Sequence, residues 1–297
     1  MANLLIKSKP VSQSIFLLLR YTVYTIIDAE EDTMCNIGFQ IQQNDTYKFI
    51  FAANRDEAYL RPTKSAHFWP EYPDLLAGQD EIQKGTWLGI TKQGKFAALT
   101  NCRQASDGPA IDTRSVKAFP TSRGTLVKDF LTGNQTAEEY SAYLAETKDQ
   151  YNGYNLIFGN ILDGHFLHYN NFNGSLSPVS SGVHGLSNAT LDTPWPKVKK
   201  VTARLNQLQG SQTEITEQLF DLFADTETAK KEELPDTGLP VEFEEAASAV
   251  FIQTKDYGTI GTTVILVDQQ NQVTFTERRF NKRGMLEENS FSFSLRR

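Results

Sequence analysis

The sequence predicts an α+β fold in which helices lie outside largely antiparallel sheets. Its strand-like segments are short, and turn sequences typical of hairpins join them, which pairs strands in antiparallel fashion. Helical periodicity is confined to two blocks that separate groups of strands. The chain has no internal repeat of the solenoid kind. A four-layer α-β-β-α sandwich is an economical arrangement, because each sheet then packs helices on one face and the other sheet on its second face.

The predicted elements run in the order of four strands, two helices, two or more strands, two helices and three strands. Hairpin turns are predicted at Lys92-Gln93-Gly94 and Asp163-Gly164, and Thr136 with Glu139 predicts a capping box at a helix start. The predicted strands cover residues 35–41, 47–53, 87–91, 95–100, 154–161, 165–169, 183–187, 247–253, 264–268 and 272–277. The predicted helices cover residues 121–131, 136–149, 194–208 and 213–224. Residues 61–84 and 103–120 are expected to be loops that shape a pocket, and 225–246 a solvated acidic loop.

The composition is that of an ordinary globular protein. The 297 residues carry 29 Lys and Arg against 36 Asp and Glu, which gives a formal net charge of −7. This balance argues against a nucleic-acid partner held by phosphate neutralisation. Two cysteines, Cys35 and Cys102, cannot make a disulfide framework, so a reducing, cytoplasmic location is expected. We predict one domain over residues 34–297, with no metal or other cofactor.

Residues 1–33 do not resemble the rest of the chain. Their apolar stretch, 15–27, is too short to span a bilayer and contains Arg20, so no stable membrane insertion is expected. The acidic residues that follow do not form the small-residue cleavage site of a signal peptide. A genuine N-terminal extension is one interpretation. We favour a translated leader of a bacterial gene that starts at Met34, because Glu30-Glu31 can be encoded as a purine-rich ribosome-binding sequence.

Cys35 is the sharpest chemical feature of the sequence. If Met34 starts the chain and is trimmed, Cys35 carries both a thiol nucleophile and a free α-amino group with an ordinary pKa of about 8. That amine can act as general base for its own side chain, which is the N-terminal-nucleophile arrangement. A small buried strand cysteine is the alternative interpretation.

Polar residues at several strand ends are candidates for the same site. Asn54-Arg55-Asp56-Glu57 follows the second predicted strand, and in extended chain Asn54 and Asp56 face one side while Arg55 and Glu57 face the other. Asp56 is a candidate acceptor for the α-ammonium group, and Arg55 is a candidate to lower the thiol pKa or bind a carboxylate. Asn101 and Asn188 close predicted strands and are candidate oxyanion donors. Trp87 is a candidate pocket wall, although core packing is its alternative role.

These residues belong to an ordered set of motifs that resembles the NRDE family, also called the transport and Golgi organisation protein 2 family. The matching segments cover essentially all of residues 34–297: they are Met34-Cys35, Ala53-Asn54-Arg55-Asp56-Glu57, Gly85-Thr86-Trp87-Leu88-Gly89, Leu99-Thr100-Asn101, Tyr151-Asn152-Gly153-Tyr154-Asn155-Leu156, His184-Gly185-Leu186-Ser187-Asn188, Thr193-Pro194-Trp195-Pro196-Lys197 and Val273-Thr274-Phe275-Thr276-Glu277-Arg278. Members of that family begin Met-Cys, which agrees with a start at Met34.

The resemblance implies both a fold and a site. The family is similar to cysteine N-terminal-nucleophile hydrolases of the choloylglycine-hydrolase type, which have an α-β-β-α sandwich. The catalytic residues that this similarity implies are Cys35, Arg55, Asp56, Asn101 and Asn188, and the ligand-binding residues are Asn54, Trp87, Tyr154 and Asn155. Family members often carry Tyr-Gly-Thr-Arg late in the chain, whereas here Tyr257-Gly258-Thr259 is followed by Ile260.

Two functions of different classes follow. The first is a hydrolase that cleaves an amide or thioester bond of a small acyl compound through Cys35. The second is a non-catalytic carrier or chaperone for haem or a lipid-like ligand on the same fold, since the resemblance also implies roles in haem trafficking. A site that has lost its activity is a third interpretation.

Overall fold

In a computed structural model that describes residues 35–102, 121–237 and 240–296, thirteen strands form two sheets. Residues 1–34, including the predicted leader and Met34, and the predicted loop 103–120 lie outside the described residues. The strands are β1 Asn36–Ile41, β2 Tyr47–Ala58, β3 Thr63–Trp69, β4 Tyr72–Asp80, β5 Leu88–Thr91, β6 Lys95–Asn101, β7 Tyr154–Asn160, β8 His165–Asn170, β9 Ser175–Val179, β10 Gly182–Leu186, β11 Tyr257–Asp268, β12 Gln272–Asn281 and β13 Gly284–Ser294.

The two sheets are antiparallel throughout the described chain. The first has the order β10-β1-β2-β11-β12-β13, and the second has the order β3-β4-β5-β6-β7-β8-β9. The sheets face each other across an apolar core that is rich in aromatic rings. The Phe49 ring centroid lies 5.0 Å from that of Phe96 and 5.3 Å from that of Phe166, so rings from both sheets interlock.

Helices cover the outer face of each sheet. They are α1 Gly124–Thr132, α2 Ala137–Thr147, α3 Pro196–Leu205, α4 Gln212–Phe223 and α5 Val241–Ala247. Helices α1 and α2 pack on the second sheet through residues such as Leu126 and Leu144, and α3 and α4 pack on the first through residues such as Val201 and Leu219. The layer order is therefore α-β-β-α, which confirms the predicted fold class. Thr136 and Glu139 form the predicted capping box at the start of α2.

Several predicted element boundaries were wrong. Strand β2 continues five residues past its predicted end and stops at Ala58, because the polar residues 54–57 pair with β11. Residues 61–84 are not a loop but contain the β3–β4 hairpin, whose register is irregular at two points. Helix α5 occupies the end of the predicted acidic loop, and β13 was not predicted.

The predicted strand 247–253 was also wrong, and the difference affects the site. Ala247 ends α5, and residues 248–252 form no strand. Their apolar composition reflects burial beneath the first sheet, and several of their backbone groups bond to side chains instead of forming a ladder with a neighbouring strand. The carbonyl oxygens of Ala247 and Val250 accept hydrogen bonds from Lys197 and Asn54, respectively.

Candidate active site

One cleft, at the end of the sandwich where β1 begins and β6 ends, brings most of the predicted site residues together. It has a volume of about 80 Å³. Cys35, Arg55, Asp56, Trp87 and Asn101 all border it. The remaining bordering residues are mostly polar or glycine: Glu57, Arg61, Gly78, Gln79, Asp80, Gly85, Thr86, Leu99, Ser122, Arg123 and Gly124.

Cys35 lies immediately before β1 and is buried. Asn36 pairs with Asn54, so the antiparallel register places Cys35 opposite Arg55 on the face that looks toward the second sheet. Burial and, to a smaller extent, the nearby Asp56 charge raise the pKa of the Cys35 thiol to about 12, while a hydrogen bond with the Asp56 backbone and the Arg55 charge oppose this rise. Arg55 therefore acts in the predicted direction, but its effect is smaller than that of burial.

Residues 54–57 alternate between the two faces of β2, as the extended-chain prediction required. Arg55 and Glu57 border the cleft. Asn54 lies on the helix side, where its Nδ2 donates to the carbonyl oxygens of Phe223 and Val250, both at 2.8 Å. Its Oδ1 accepts from Thr262 Oγ1 at 2.6 Å. Asn54 thus joins the first sheet to its helix layer and does not reach the cleft with its side chain amide.

Asp56 lies near Cys35: its backbone makes a hydrogen bond with the Cys35 thiol, and its charge raises the pKa of that thiol. Oδ1 of Asp56 accepts from Thr259 Oγ1 at 2.5 Å, whereas Oδ2 has no hydrogen-bond partner among the described residues. Burial raises the pKa of the Asp56 carboxyl to about 7, against the lowering effects of Lys197 and the Thr259 hydrogen bond.

An ion-pair network forms one wall of the cleft. Arg61 Nε lies 2.7 Å from Asp80 Oδ2 and 3.6 Å from Glu57 Oε2, and Arg55 Nη2 lies 3.6 Å from each of the same two carboxylates. Burial opposes ionisation of Asp80, but the backbone hydrogen bond from Gln83 and the charge of Arg61 hold the pKa of Asp80 below its ordinary value. These contacts fix the Arg55 guanidinium beside Cys35.

A loop after β10 links Cys35 to Asn101. Ser187 Oγ donates to the Cys35 carbonyl oxygen at 3.0 Å, and a 3.0 Å contact also joins it to Asn188 Oδ1. Asn188 Nδ2 donates to the Asn101 carbonyl oxygen at 3.0 Å. Asn101 borders the cleft, whereas Asn188 is completely buried behind it. Asn188 therefore positions Cys35 and Asn101 from behind the cleft.

Two predicted ligand-binding residues lie away from the cleft. Tyr154 is fully buried in the core between the second sheet and its helices. Asn155 is the centre of a buried network: its Nδ2 donates to the Ala189 carbonyl oxygen at 2.7 Å, and its Oδ1 lies 2.9 Å from Asn170 Nδ2 and 3.0 Å from His168 Nε2. With Asn54, these residues support the fold around the site.

Four charged residues near the site were not identified from the sequence. Arg61, Asp80 and Arg123 border the cleft, and Lys197 lies behind Asp56. Lys197 belongs to one of the segments that match the family, but the residue spacing in that segment does not predict that the lysine is buried. Ile260, in place of the expected Arg, is buried at a β-bulge between Thr259 and Gly261.

Two further observations concern only the described residues, 35–102, 121–237 and 240–296. No group of three or more His, Cys, Asp and Glu side chains there is arranged to hold a metal ion. No helix there has the length and apolar character needed to cross a membrane.

Solved structures with partial similarity include a Caenorhabditis elegans N-acylethanolamine-hydrolyzing acid amidase ortholog, with a TM-score of 0.43 and 13% identity over 78% of this chain and 92% of that chain. A mutant conjugated bile acid hydrolase from Clostridium perfringens has a TM-score of 0.40 and 11% identity over 88% of this chain and 92% of that chain.

Sequence relatives are closer. A Mus musculus Transport and Golgi organization 2 homolog is 33% identical over 88% of this chain and 99% of its own length. The Homo sapiens homolog is 35% identical over 82% of this chain and 92% of its own length. These relatives are animal proteins, and a bacterial source for this chain stays a prediction. The family model described as Transport and Golgi organisation 2 matches residues 34–282, and the chain belongs to that family.

Proposed function

We propose that this protein is a cytoplasmic cysteine N-terminal-nucleophile hydrolase that cleaves an amide or thioester bond in a small molecule. The observation that carries the proposal is the convergence of Cys35, Arg55, Asp56 and Asn101 on one cleft. The raised pKa of Cys35, about 12, means that the thiol keeps its proton at neutral pH and needs a base. A free α-amino group on Cys35 supplies that base within the same residue.

In the proposed reaction, Cys35 Sγ attacks the substrate carbonyl carbon while the thiol proton moves to the neutral α-amine. The carbonyl oxygen becomes an oxyanion, which the Asn101 side chain amide and nearby backbone N–H groups stabilise. Collapse of this intermediate breaks the C–N or C–S bond, and the α-ammonium group returns the proton to the leaving amine or thiolate. Water then attacks the acyl-enzyme thioester, gives a proton to the α-amine, and releases the carboxylic acid as Sγ regains its proton.

The surrounding residues have separate roles in this scheme. Oδ2 of Asp56, which has no partner among the described residues, is the proposed acceptor for the α-ammonium group. Arg55 favours negative charge on Sγ, since its charge lowers the pKa of the Cys35 thiol. Ser187 and Asn188 hold the Cys35 and Asn101 carbonyl oxygens and so fix the distance between nucleophile and oxyanion donor.

The described part of the cleft favours a small, polar substrate. Its volume is about 80 Å³, and Trp87 and Leu99 are the only large apolar side chains among its described lining residues. Pockets for drug-sized ligands are typically about 300–1,000 Å³ and mainly apolar. These features support a small amide or thioester more strongly than a haem-sized ligand.

One observation favours the alternative of a non-catalytic carrier for haem or a lipid-like ligand. Ile260 replaces the arginine that the family resemblance led us to expect, so the site has one cation fewer than that pattern. In this alternative the cleft and Cys35 bind the ligand without cleaving it.

The N-terminus and the thiol test the proposal in sequence. Intact-mass analysis of the purified protein should give a chain that begins at Cys35, and a chain still beginning at Met1 would contradict the mechanism. Hydrolysis of a panel of small amides and acyl thioesters should be lost in Cys35→Ala and strongly reduced in Cys35→Ser. Cys102→Ser is the matched control, since Cys102 is a buried thiol whose Sγ lies 3.0 Å from Asn170 Nδ2. Haem binding by the wild type, without hydrolysis of any substrate in the panel, would favour the carrier.

A further inference from the structure

Lys197 is a buried lysine that the proposed reaction does not use. It lies in the first turn of α3 with only 2% of its surface exposed. Its Nζ donates to the Ala247 carbonyl oxygen at 3.0 Å. No direct ion pair to Nζ is found among residues 35–102, 121–237 and 240–296. Lysine side chains are almost never fully buried without a charged partner, so this position requires an explanation.

Two buried carboxyl groups lie within electrostatic range of Lys197. They are Asp56 and Glu244, and each interacts with the lysine charge. One oxygen of each, Asp56 Oδ2 and Glu244 Oε2, has no hydrogen-bond partner among the described residues. The other oxygens are held: Asp56 Oδ1 accepts from Thr259, and Glu244 Oε1 accepts from the Thr237 backbone N–H at 3.0 Å.

The segment 247–252 fixes the lysine and Asp56 relative to each other. At one end, Ala247 accepts from Lys197 Nζ. At the other end, the Ile252 N–H donates to Thr259 Oγ1 at 2.9 Å, and the Thr259 N–H donates to the Ile252 carbonyl oxygen at 2.9 Å. Thr259 Oγ1 in turn donates to Asp56. This short segment therefore holds Lys197 and the Asp56 carboxyl group behind the strand that follows Cys35.

We propose that Lys197 is a positioning residue whose buried ammonium group keeps the Asp56 carboxylate ionised behind the Cys35 nucleophile. The consequence for catalysis rests on the proposed function, in which an ionised Asp56 accepts from the α-ammonium group of Cys35 and supplies the opposite charge that the neutral acid would lack. Burial alone favours the neutral carboxylic acid, which would leave the amine without an anionic partner. A cation that is itself buried and fixed opposes this effect without screening by solvent.

Other charged and titratable groups also face this pair. Around Asp56 they are Cys35 just before β1, Glu57 on β2 and Tyr59 just after β2, and around Lys197 they are Asp56, Cys35 and Glu244. Lys197 is the largest of the charges that favour ionisation of Asp56. Removing it should therefore have a larger effect on Asp56 than removing any other single charge.

The test measures the ionisation of Asp56 directly in the full chain. The protein is labelled with [4-¹³C]aspartate, and the ¹³Cγ resonance of Asp56 is followed from pH 4 to pH 10. The resonance is assigned by its absence in Asp56→Asn. We expect the titration midpoint to rise by about one pH unit or more in Lys197→Met and to stay near the wild-type value in Lys197→Arg. Lys200→Met is the matched control, since Lys200 lies on the same helix but pairs with Asp225 and Glu227 at 2.9 and 2.8 Å. An unchanged midpoint in folded Lys197→Met would overturn the proposal.

A second measurement covers the case in which Lys197→Met does not fold. Coupling between two sites is reciprocal, so Lys197 should titrate at lower pH in Asp56→Asn than in the wild type. The ¹³Cε resonance of Lys197, assigned by its loss in Lys197→Arg, reports this, and identical titration in both proteins would overturn the inference. Neither measurement needs turnover. If the titrations of Lys197 and Asp56 are coupled but no substrate is hydrolysed, only the proposed function is contradicted. If substrate is hydrolysed but the two titrations are independent, only the role of Lys197 is contradicted.

Discussion

Replacing Asn54 by alanine tests whether the first residue of the Asn-Arg-Asp-Glu sequence is structural or binds a ligand. The Asn54 side chain is completely buried and makes three hydrogen bonds on the helix side of the first sheet. Two of them hold the carbonyl oxygens of Phe223, at the end of α4, and Val250, in the segment that also supports Lys197 and Thr259. Asn54→Ala removes all three bonds and leaves those acceptors buried without a donor.

The expected loss of stability follows from this geometry. Each intramolecular hydrogen bond contributes about 1 kcal/mol net, and a small cavity adds on the order of 1 kcal/mol, so the free energy of unfolding should fall by about 4 kcal/mol. Thr262→Val removes only the bond from Thr262 Oγ1 to Asn54 Oδ1 and should cost about 1 kcal/mol. A protein with ordinary stability, about 5–15 kcal/mol, would still fold in both cases.

Urea unfolding at constant pH measures both changes, and an unchanged m-value shows that they reflect stability alone. The reasoning is refuted if Asn54→Ala unfolds within about 1 kcal/mol of the wild type. If that variant kept its stability but lost a ligand or turnover, the ligand-binding role predicted from the sequence would stand instead.

Two other substitutions test the site and its wall. Burial raises the pKa of Asp56 from 3.8 to about 7, so the folded wild type binds this proton more tightly than the unfolded chain does. Its free energy of unfolding should therefore fall by an amount on the order of 4 kcal/mol as the pH rises between those two values. Asp56→Asn should lack this loss, so urea unfolding should show a higher free energy of unfolding than in the wild type at pH 8 but not at pH 4. The same pH dependence in both proteins would contradict the raised pKa of Asp56. In Gly85→Ala the added Cβ would lie 2.6 and 2.7 Å from the Gly124 carbonyl carbon and oxygen, so we expect the thermal midpoint to fall by an amount equivalent to about 1–3 kcal/mol. Gly261→Ala is its control, since the nearest atom there is 3.7 Å away, and equal losses in the two variants would contradict the steric argument.

Local sequence chemistry was sufficient to predict the layers and much of the cleft. Gly94 and Gly164 adopt the positive φ values of 84° and 64° that their hairpin turns require, and the Thr136–Glu139 capping box begins a helix as expected. Cys35, Arg55 and Asp56 converge because the start of β1 pairs with the end of β2, and the end of β6 in the facing sheet brings Asn101 to the same end of the sandwich. Turn type depends on residues that are close together in sequence, and the pairing of two strands depends on a single register.

The remaining features depend on contacts between distant residues. The apolar run at 247–253 predicts a strand, yet its carbonyl groups bond to Lys197 and Asn54, which no local pattern reveals. Residues 61–84 contain prolines and mixed polarity, so β3 and β4 were hidden within what resembles a loop. Tyr154 and Asn155 belong to a matching motif, but their burial shows that a motif can mark support for a site as well as contact with a ligand.

The alternation of residues 54–57 explains why four consecutive polar residues occur on one buried strand. Arg55 and Glu57 face the cleft, where Arg55 is fixed beside the thiol, while Asn54 and Asp56 face the helix layer. Asp56 is the residue that connects the two sides, because its backbone contacts Cys35 and its carboxyl group lies with Thr259 and near Lys197. A one-residue shift of β2 would exchange the two faces, placing the cleft arginine among the helices and the Asn54 amide in the cleft. The three hydrogen bonds of Asn54 therefore hold the register on which the position of Arg55 beside Cys35 depends.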